Sequence, residues 1–590
     1  MATSPDVGDQ QRSDGMVIEK DVTFDTRDGH TLYCDVFRPD AEGQFPVILS
    51  FGVYGKDFHF AERDDFEYKN SPHQGPYMNY ETPDALTWVG FGYVVIRVDP
   101  VGTGKSPGVV DVFSDRDAEH YYDAIEWAAV QPWSTGNVGT LGVSYYAHTQ
   151  TQVAAKKPPH LKAIVPWEVA GDIFRDAIFT GGILNNNFPD GWFEYWVKLN
   201  QNGLGTLSEE ELARNRVDWP TEIRRHPLWD EYWAERQPDP RDIDVPILTV
   251  ANFTGLPLVG HSHYELFEES GSPYKWLRVH SGGHVANFYS PESTAQQRQF
   301  LDYFLKGEDN GLLDVPRVQL AIRHKGTAKR QVCPAEDLRY ENEWPLARTR
   351  WTELFLDAGD MSLAPASPTA ADQIQYSAQD SVLRVPMPSA SQGFNASGYG
   401  SSFVSYPHYV ATMTDLDDPS TRVLFRTAPF AETTEITGPL VLTLHLSTTG
   451  EDADIFVTGR AYDEDGQEIT FDGLVDNPDV PMTVGHLRLS QRTLDPVKST
   501  AWRPYRRQDR SEPVEAGKVY EVRIAVGPTS MIFEPGYTLG VEVGSRDGLG
   551  TYCYNHNDPD DRARATGTVT IHTGPESRSS LLVPVIPADA

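Results

Sequence analysis

The sequence predicts an α/β protein with a mainly parallel sheet, followed by a separate all-β domain. Short apolar runs without polar alternation, such as residues 46–51 and 93–98, alternate with stretches of helical periodicity through the first 350 residues. Runs of that kind are strands covered on both faces. From about Arg350 the texture changes to short segments of alternating polarity, such as residues 440–446 and 520–526, divided by Gly, Pro and Asp turns. The chain of 590 residues is also too long for one hydrophobic core.

Each element follows from local chemistry. Residues 1–15 are polar and pattern-free and read as a loose tail. The segments flanking Asp28 and Gly29 read as a hairpin, and residues 46–51 and 93–98 as buried strands. Ala118, Tyr122, Ile125 and Ala129 recur at helical spacing, and Pro132 with the Gly136-Asn137 turn closes that helix. Strands are expected at 138–141, 161–166, 245–250 and 275–280, then an amphipathic helix over 297–305. Repeated βα alternation implies parallel pairing. The insert 172–243, rich in Trp, Phe, Asn and charge, breaks the rhythm with helical pieces at 208–217 and 229–236, and reads as a cap over the sheet's edge. The expected organisation is a tail 1–15, a core formed by 16–171 and 244–350, a helical cap 172–243, and an all-β sandwich of jelly-roll type over 351–590.

Composition excludes several classes. Hydrophobic residues make up 39% and aromatics 11%, far too much for a disordered chain. A net charge of −35, from 85 acidic against 50 basic residues, repels phosphate backbones and anionic lipid. Neither nucleic acid nor a membrane is therefore an expected partner, and the excess acid serves to keep a large surface solvated. Cys34, Cys333 and Cys553 are far apart and form no disulfide framework. The N-terminal segment has no apolar h-region, and no window holds 18 uninterrupted apolar residues. A reducing, cytoplasmic location follows, in which the sequons at Asn252 and Asn395 carry no meaning.

Other motifs lead nowhere. Residues 463–466 resemble half a calcium loop but read as a hairpin turn. The acidic run at 558–561 reads as a solvated loop near an edge. His59, His73, His261 and His263 lack metal-ligand spacing, so no metal is expected. The Gly102-Thr-Gly104 segment lacks the third glycine of a dinucleotide fingerprint, so no cofactor is implied.

The informative segment is Val138-Gly-Thr-Leu-Gly-Val-Ser144-Tyr-Tyr-Ala147, a strand running through Gly142 into Ser144 and then a helix. A nucleophile elbow needs that strand, sharp turn and helix, because the turn exposes a serine at the strand's end. The usual second glycine is displaced, with Tyr146 in its slot. A serine capping an ordinary helix is the alternative.

Upstream lies Val98-Asp99-Pro-Val-Gly-Thr-Gly-Lys-Ser-Pro-Gly108, and Tyr54 follows the strand that ends at Phe51. At these positions the chain resembles the cocaine-esterase and X-prolyl dipeptidyl-peptidase group of α/β-hydrolases, in which a DxRGxGxS segment precedes a GxSY elbow. The likeness extends to Ala501-Trp-Arg-Pro-Tyr505 and Pro528-Thr-Ser-Met-Ile-Phe-Glu-Pro-Gly536, which are similar to the group's jelly-roll domain, and so covers about residues 20–585. It implies an α/β-hydrolase core carrying an acyl-enzyme on Ser144. It further implies that Tyr54, with the backbone amide of Tyr145, donates to the oxyanion, and that His284, in the glycine-flanked loop after residue 280, is the general base. Asp99 reads as a structural turn residue and His280 as core.

The triad acid departs from the group's pattern. An aspartate is expected just after residues 245–250, yet that turn reads Ala251-Asn-Phe-Thr254-Gly255. A carboxylate relocated to the preceding strand's end would be Glu168, with Asp172 next. Otherwise the triad is weakened or lost, since Glu265, Glu268 and Glu269 read as the polar face of a helix. The leading expectation is hydrolysis of a small-molecule ester or amide. Transfer of the acyl group to another nucleophile, within an aromatic cap supplied by Phe188, Trp192, Phe193, Tyr195 and Trp196, is the second reading. A non-catalytic ligand-binding protein is the third. The all-β domain would offer a surface for association of copies.

Overall fold

The computed structural model describes residues 10–63, 68–69, 71–169, 171–201, 205–256, 258, 260–378, 419–474, 479–547, 556 and 558–588. Cys553 and the sequon at Asn395 lie outside the described residues. Strands β1 (Gln10–Ser13), β2 (Met16–Asp25), β3 (Thr31–Pro39) and β4 (Phe45–Phe51) open the chain. They are followed by β5 (Val94–Asp99), β6 (Ser134–Val143) and β7 (Leu161–Trp167). A small hairpin, β8 (Phe179–Thr180) and β9 (Ile183–Leu184), stands apart, and β10 (Ile247–Asn252), β11 (Lys275–His280), β12 (Val318–Ala321) and β13 (Leu338–Glu341) complete the set.

Eleven of these strands form one sheet in the order β1-β2-β3-β5-β4-β6-β7-β10-β11-β12-β13. The stretch β5-β4-β6-β7-β10-β11-β12 is parallel, and antiparallel strands finish both edges. The central strands are apolar without alternation because helices cover both faces: Val94–Asp99 is buried at every position. Helices Asp115–Ala129 and Tyr145–Ala155 bury Tyr121, Ala124, Ile125, Ala128, Val153 and Ala154 against one face.

The first fifteen residues are not wholly a loose tail. Gln10–Ser13 pairs antiparallel with β2 from Gln10↔Glu19 to Ser13↔Met16. Its side chains are mostly exposed, so backbone pairing forms the strand with no apolar pattern to announce it. The insert holds short helices at Asn187–Trp192, Glu209–Arg214, Trp219–Arg225 and Glu231–Arg236.

A second sheet of twelve strands runs in sequence from Arg350–Asp357 to Ser580–Ile586. Leu440, Leu442, Leu444 and Leu446 alternate inward along Thr434–Thr448 and join a core of their own. Residues 463–466 are a hairpin turn between Asp454–Tyr462 and Glu468–Ile469. The acidic run at 558–561 is not simply solvated. Asp558 pairs with Arg224 of the insert at 3.1 Å, while Asp561 pairs with Arg488 at 2.8 Å and accepts the Leu184 amide. Both carboxylates are mostly buried because this loop joins the insert to the β domain.

Candidate active site

The elbow is built from close backbone packing. Ser144 follows β6 directly, with φ 58° and ψ −116°, and opens the helix Tyr145–Ala155. A side-chain-bearing residue reaches that conformation only when its surroundings impose it. The Ser144 amide donates to the Trp167 carbonyl at 2.9 Å and so ties the turn to β7. A Cβ at Gly142 would meet Tyr146 Cβ at 2.6 Å, which explains the glycine. The displaced second glycine has its reason in Gly52, where a Cβ would meet the Tyr146 ring at 2.6 Å. Small size is needed where the tyrosine lands, one strand away.

His284 sits in the loop after β11. Gly282, at φ 110°, faces the Arg330 carbonyl at 2.5 Å from where a Cβ would be. Asn252 and Thr254, the residues found where an aspartate was expected, hold this loop. Thr254 Oγ1 accepts from the Gly282 amide at 2.9 Å, and Asn252 Nδ2 donates to the Gly282 carbonyl at 3.0 Å. The strand end thus supplies scaffold in place of charge.

The charge comes from β7. Glu168, fully buried, lies with Oε2 2.8 Å from His284 Nδ1, and Asn252 Nδ2 donates to the same oxygen at 3.3 Å. Glu168 has φ 50° and Val169 has φ 121°. The Val169 amide donates to His263 Nε2 at 2.7 Å, and His263 Nδ1 meets Thr249 Oγ1 at 2.7 Å. Burial holds that imidazole neutral, with its pKa lowered to about 3, so His263 serves as the acceptor that fixes the turn. Burial alone would raise the Glu168 carboxyl, but His284 and His280 outweigh it and bring it down to about 2.

The other sequence candidates divide. Asp172 pairs with Arg175 at 2.6 Å and is not brought to His284. Glu268 and Glu269 pair with Arg503 of the β domain at 3.1 and 2.8 Å. His280 is core, yet its Nε2 lies 2.7 Å from Glu168 Oε1, a close contact off the hydrogen-bond axis. Asp99 is a turn residue, accepting the Lys56 amide at 2.9 Å.

Tyr54 stands over the elbow. Its hydroxyl accepts from Trp192 Nε1 at 2.9 Å and engages the Ser144 side chain. Accepting from the indole leaves the phenol's own O–H as a donor. Burial, reinforced by the Glu81 charge, keeps that phenol protonated far above the usual range. The Tyr145 amide opens the helix, where N–H groups have no acceptor within the helix. Trp192 stacks on the Tyr145 ring, and Trp196 stacks on Tyr80.

One residue escaped the sequence analysis. Glu81, 1% exposed and at φ 60°, places Oε1 3.0 Å from His284 Nε2. Burial opposes protonation of His284, but the two carboxylates, Glu168 first, raise its pKa well above the ordinary value. No motif marks Glu81; a Glu shortly before the helix Ala85–Gly90 reads as surface.

Away from this site, among the described residues, three groups of acidic side chains, two of them with histidines, have donor atoms within 4.8 Å of one another, a pattern that the spacing of His59, His73, His261 and His263 does not disclose. Asp21, Asp35 and Asp57 are already paired with Lys20, Lys56 and Lys105. In the other two, Asp28 pairs with His120 at 2.9 Å and Asp547 with His556 at 2.9 Å.

The sheet, elbow and flanking helices place the chain in the α/β-hydrolase class. Residues 28–286 match the family model of the X-Pro dipeptidyl-peptidase (S15 family), and residues 310–582 match the X-Pro dipeptidyl-peptidase C-terminal non-catalytic domain. A CocE/NonD family hydrolase from Staphylococcus aureus has a similar crystal structure, at 30% identity and TM-score 0.81 over 97% of this chain and 94% of that one. The chain belongs to this CocE/NonD family and is an enzyme, a serine hydrolase. A cocaine esterase from Rhodococcus sp. (strain MB1 Bresler) is 26% identical over 96% of this chain and 98% of its own length. A putative Xaa-Pro dipeptidyl-peptidase from Bacillus cereus is 27% identical over 49% of this chain and 53% of its own. No helix among the described residues is long and apolar enough to cross a membrane.

Proposed function

We propose that the chain hydrolyses a carboxylic ester, or an amide, of a small molecule through an acyl-enzyme on Ser144. Ser144 Oγ attacks the carbonyl carbon as its proton passes to His284 Nε2. The carbonyl electron pair becomes the oxyanion, held by the Tyr54 hydroxyl and the Tyr145 amide. Collapse expels the alcohol or amine, which takes the proton back from His284, and water then repeats the sequence on the acyl-enzyme. Glu168 orients the imidazole and balances its charge. The observation that supports this reading best is the 2.8 Å pair of Glu168 Oε2 and His284 Nδ1 beside the strained Ser144. In a panel of chromogenic esters, Ser144→Ala, His284→Ala and Glu168→Gln should fall together by about 10³-fold or more. Full activity in Ser144→Ala would sink the reading.

The aromatic wall over Ser144 favours a second outcome of the same chemistry, acyl transfer to a small alcohol or amine. Trp192, Trp196 and Phe188 are all buried there. Product analysis with competing nucleophiles separates the two, and exclusive formation of free acid excludes transfer. We read the second sheet as a jelly roll, on its mostly antiparallel pairing. A cytoplasmic location is supported by Cys34 and Cys333, both buried thiols.

A further inference from the structure

The base and the nucleophile are each held by another partner in this structure. His284 has two ring nitrogens, and Nδ1 is committed to Glu168. Only Nε2 is left to take the Ser144 proton. That nitrogen lies 3.0 Å from Glu81 Oε1, whereas the Ser144 side chain engages Tyr54. Among the described residues, Ser144 and His284 share no hydrogen bond.

An imidazole with a carboxylate at each nitrogen donates from both and is an imidazolium. Moving the second proton onto Oε1 of Glu81 changes nothing essential, because the pair still holds one proton more than base catalysis allows. Until that proton leaves, Nε2 cannot accept another. Two groups of full charge bear on the ring: Glu168 from the end of β7 and Glu81 from the loop before the helix Ala85–Gly90. His280 shares Glu168 from β11 and is itself pushed toward the neutral form by burial.

The position of Glu81 is built into the fold. Its carbonyl accepts the Val143 amide at 3.0 Å, one residue before the nucleophile. Tyr289 Oη donates to the carbonyls of Asn79 and Thr82 at 3.0 and 2.9 Å. Arg97 Nη2 donates to those of Tyr77 and Pro83 at 2.7 and 2.9 Å. The loop is thus pinned on both sides of a residue at φ 60°. Among the described residues ten non-glycines have positive φ, and two of them, Glu81 and Glu168, converge on His284, while a third, Ser144, is the proposed nucleophile. Such conformations persist where surrounding structure imposes them, and they concentrate at functional sites.

We propose that Glu81 is a positioning residue of the base: it competes with Ser144 for His284 Nε2 and thereby sets the pH at which the base becomes free. The proposal rests on Ser144 and His284 acting as nucleophile and base. Replacing Glu81 with glutamine keeps the shape and a hydrogen-bonding oxygen but removes the charge. The imidazolium then loses one of its two stabilising anions, so its proton leaves at lower pH.

The test is the rate of covalent labelling of Ser144 by a fluorophosphonate, followed against pH in wild type, E81Q and E81D. The midpoint of the acidic limb should move down by about one unit or more in E81Q. That shift is an approximately tenfold faster labelling on the limb. E81D, which restores the charge on a shorter stem, should return the midpoint part of the way. An E81Q midpoint equal to the wild type's overturns the proposal, whether the plateau is kept or lowered, since a packing role alters amplitude and leaves the midpoint in place. Failure of the underlying reading is seen separately, as undiminished labelling in His284→Ala. Because a midpoint is read from whatever fraction is folded, partial loss of folded protein does not obscure the result.

Discussion

Glu168 Oε2 and His284 Nδ1 stand 2.8 Å apart although they belong to the ends of different strands, β7 and the loop after β11, with β10 between them in the sheet. The intervening strand end supplies Asn252 and Thr254, which brace the histidine loop, and Asn252 also donates to the same carboxylate. Charge and scaffold have exchanged strands, and the imidazole is oriented from the side.

Removing the acid should therefore cost what removal of a triad acid costs. Glu168→Gln is expected to lower kcat for ester hydrolysis by about 10³ to 10⁴ with KM little changed. Asp172→Asn, at the residue that pairs with Arg175, should stay within a few-fold of wild type. Equal losses in both variants would show that the carboxylate acts through general packing.

Restoring an acidic residue at the strand end should harm the enzyme. Asn252 Nδ2 lies 3.3 Å from Glu168 Oε2, and both residues are buried. An aspartate there would set two carboxylates face to face and remove a donor, so one of them would take up a proton. Asn252→Asp is expected to lose activity at neutral pH by about tenfold or more. Steady-state rates across pH would show it, and a gain in activity would contradict this account of the site.

The proposed oxyanion donor, Tyr54, is tested by one atom. Tyr54→Phe keeps the ring against Trp192 and Trp196 but removes the hydroxyl. Loss of one such donor costs about 10²–10³ in kcat. A Tyr54→Phe enzyme with undiminished kcat would leave the Tyr145 amide as the sole donor of those considered.

Much of the core was legible because its signals are local. Unbroken apolar runs marked the parallel strands, and a strand ending in Gly-Val-Ser before a helix marked Ser144. His284 was legible from glycines on its amino-terminal side, and Gly282 is needed there because φ is positive and a backbone carbonyl crowds it. Glu168 was reachable because it follows a buried strand directly. Glu81 was not, since its loop is pinned through its neighbours' carbonyls by Tyr289, far away in sequence, and by Arg97 on β5, neither of which a motif announces. The strand Gln10–Ser13 escaped for a related reason: it is formed by backbone pairing with β2, which no apolar pattern announces. The acidic run at 558–561 was misread because Arg224 and Arg488, which bury it, lie hundreds and tens of residues away.

The strain at Ser144 should be measurable as stability. At φ 58° and ψ −116° a residue bearing a Cβ costs about 1–3 kcal/mol, while glycine in a fixed conformation costs about 0.5–1 kcal/mol in lost chain entropy. Ser144→Gly is thus expected to be inactive yet more stable, by about 1 kcal/mol. Reversible unfolding of the two proteins decides it, and a less stable glycine variant would show that the elbow is unstrained.

Activity and stability should move in opposite directions as the pH rises. His284 keeps its proton well above the ordinary imidazole range because Glu168 and Glu81 outweigh the effect of burial. A group whose folded pKa is raised contributes stability in full below its unfolded value, about 6.5, and that contribution is lost as pH climbs through the folded pKa. Over the same interval the base is set free and acylation accelerates. Thermal unfolding of wild type and His284→Gln across pH 6 to 10 isolates the contribution: wild type should lose stability relative to the variant on the alkaline side, along the limb on which labelling of Ser144 rises. Parallel unfolding curves at every pH would mean that the imidazole releases its proton equally easily folded and unfolded. In that case neither carboxylate would be holding a charge on His284, and the acidic limb would have to come from another group.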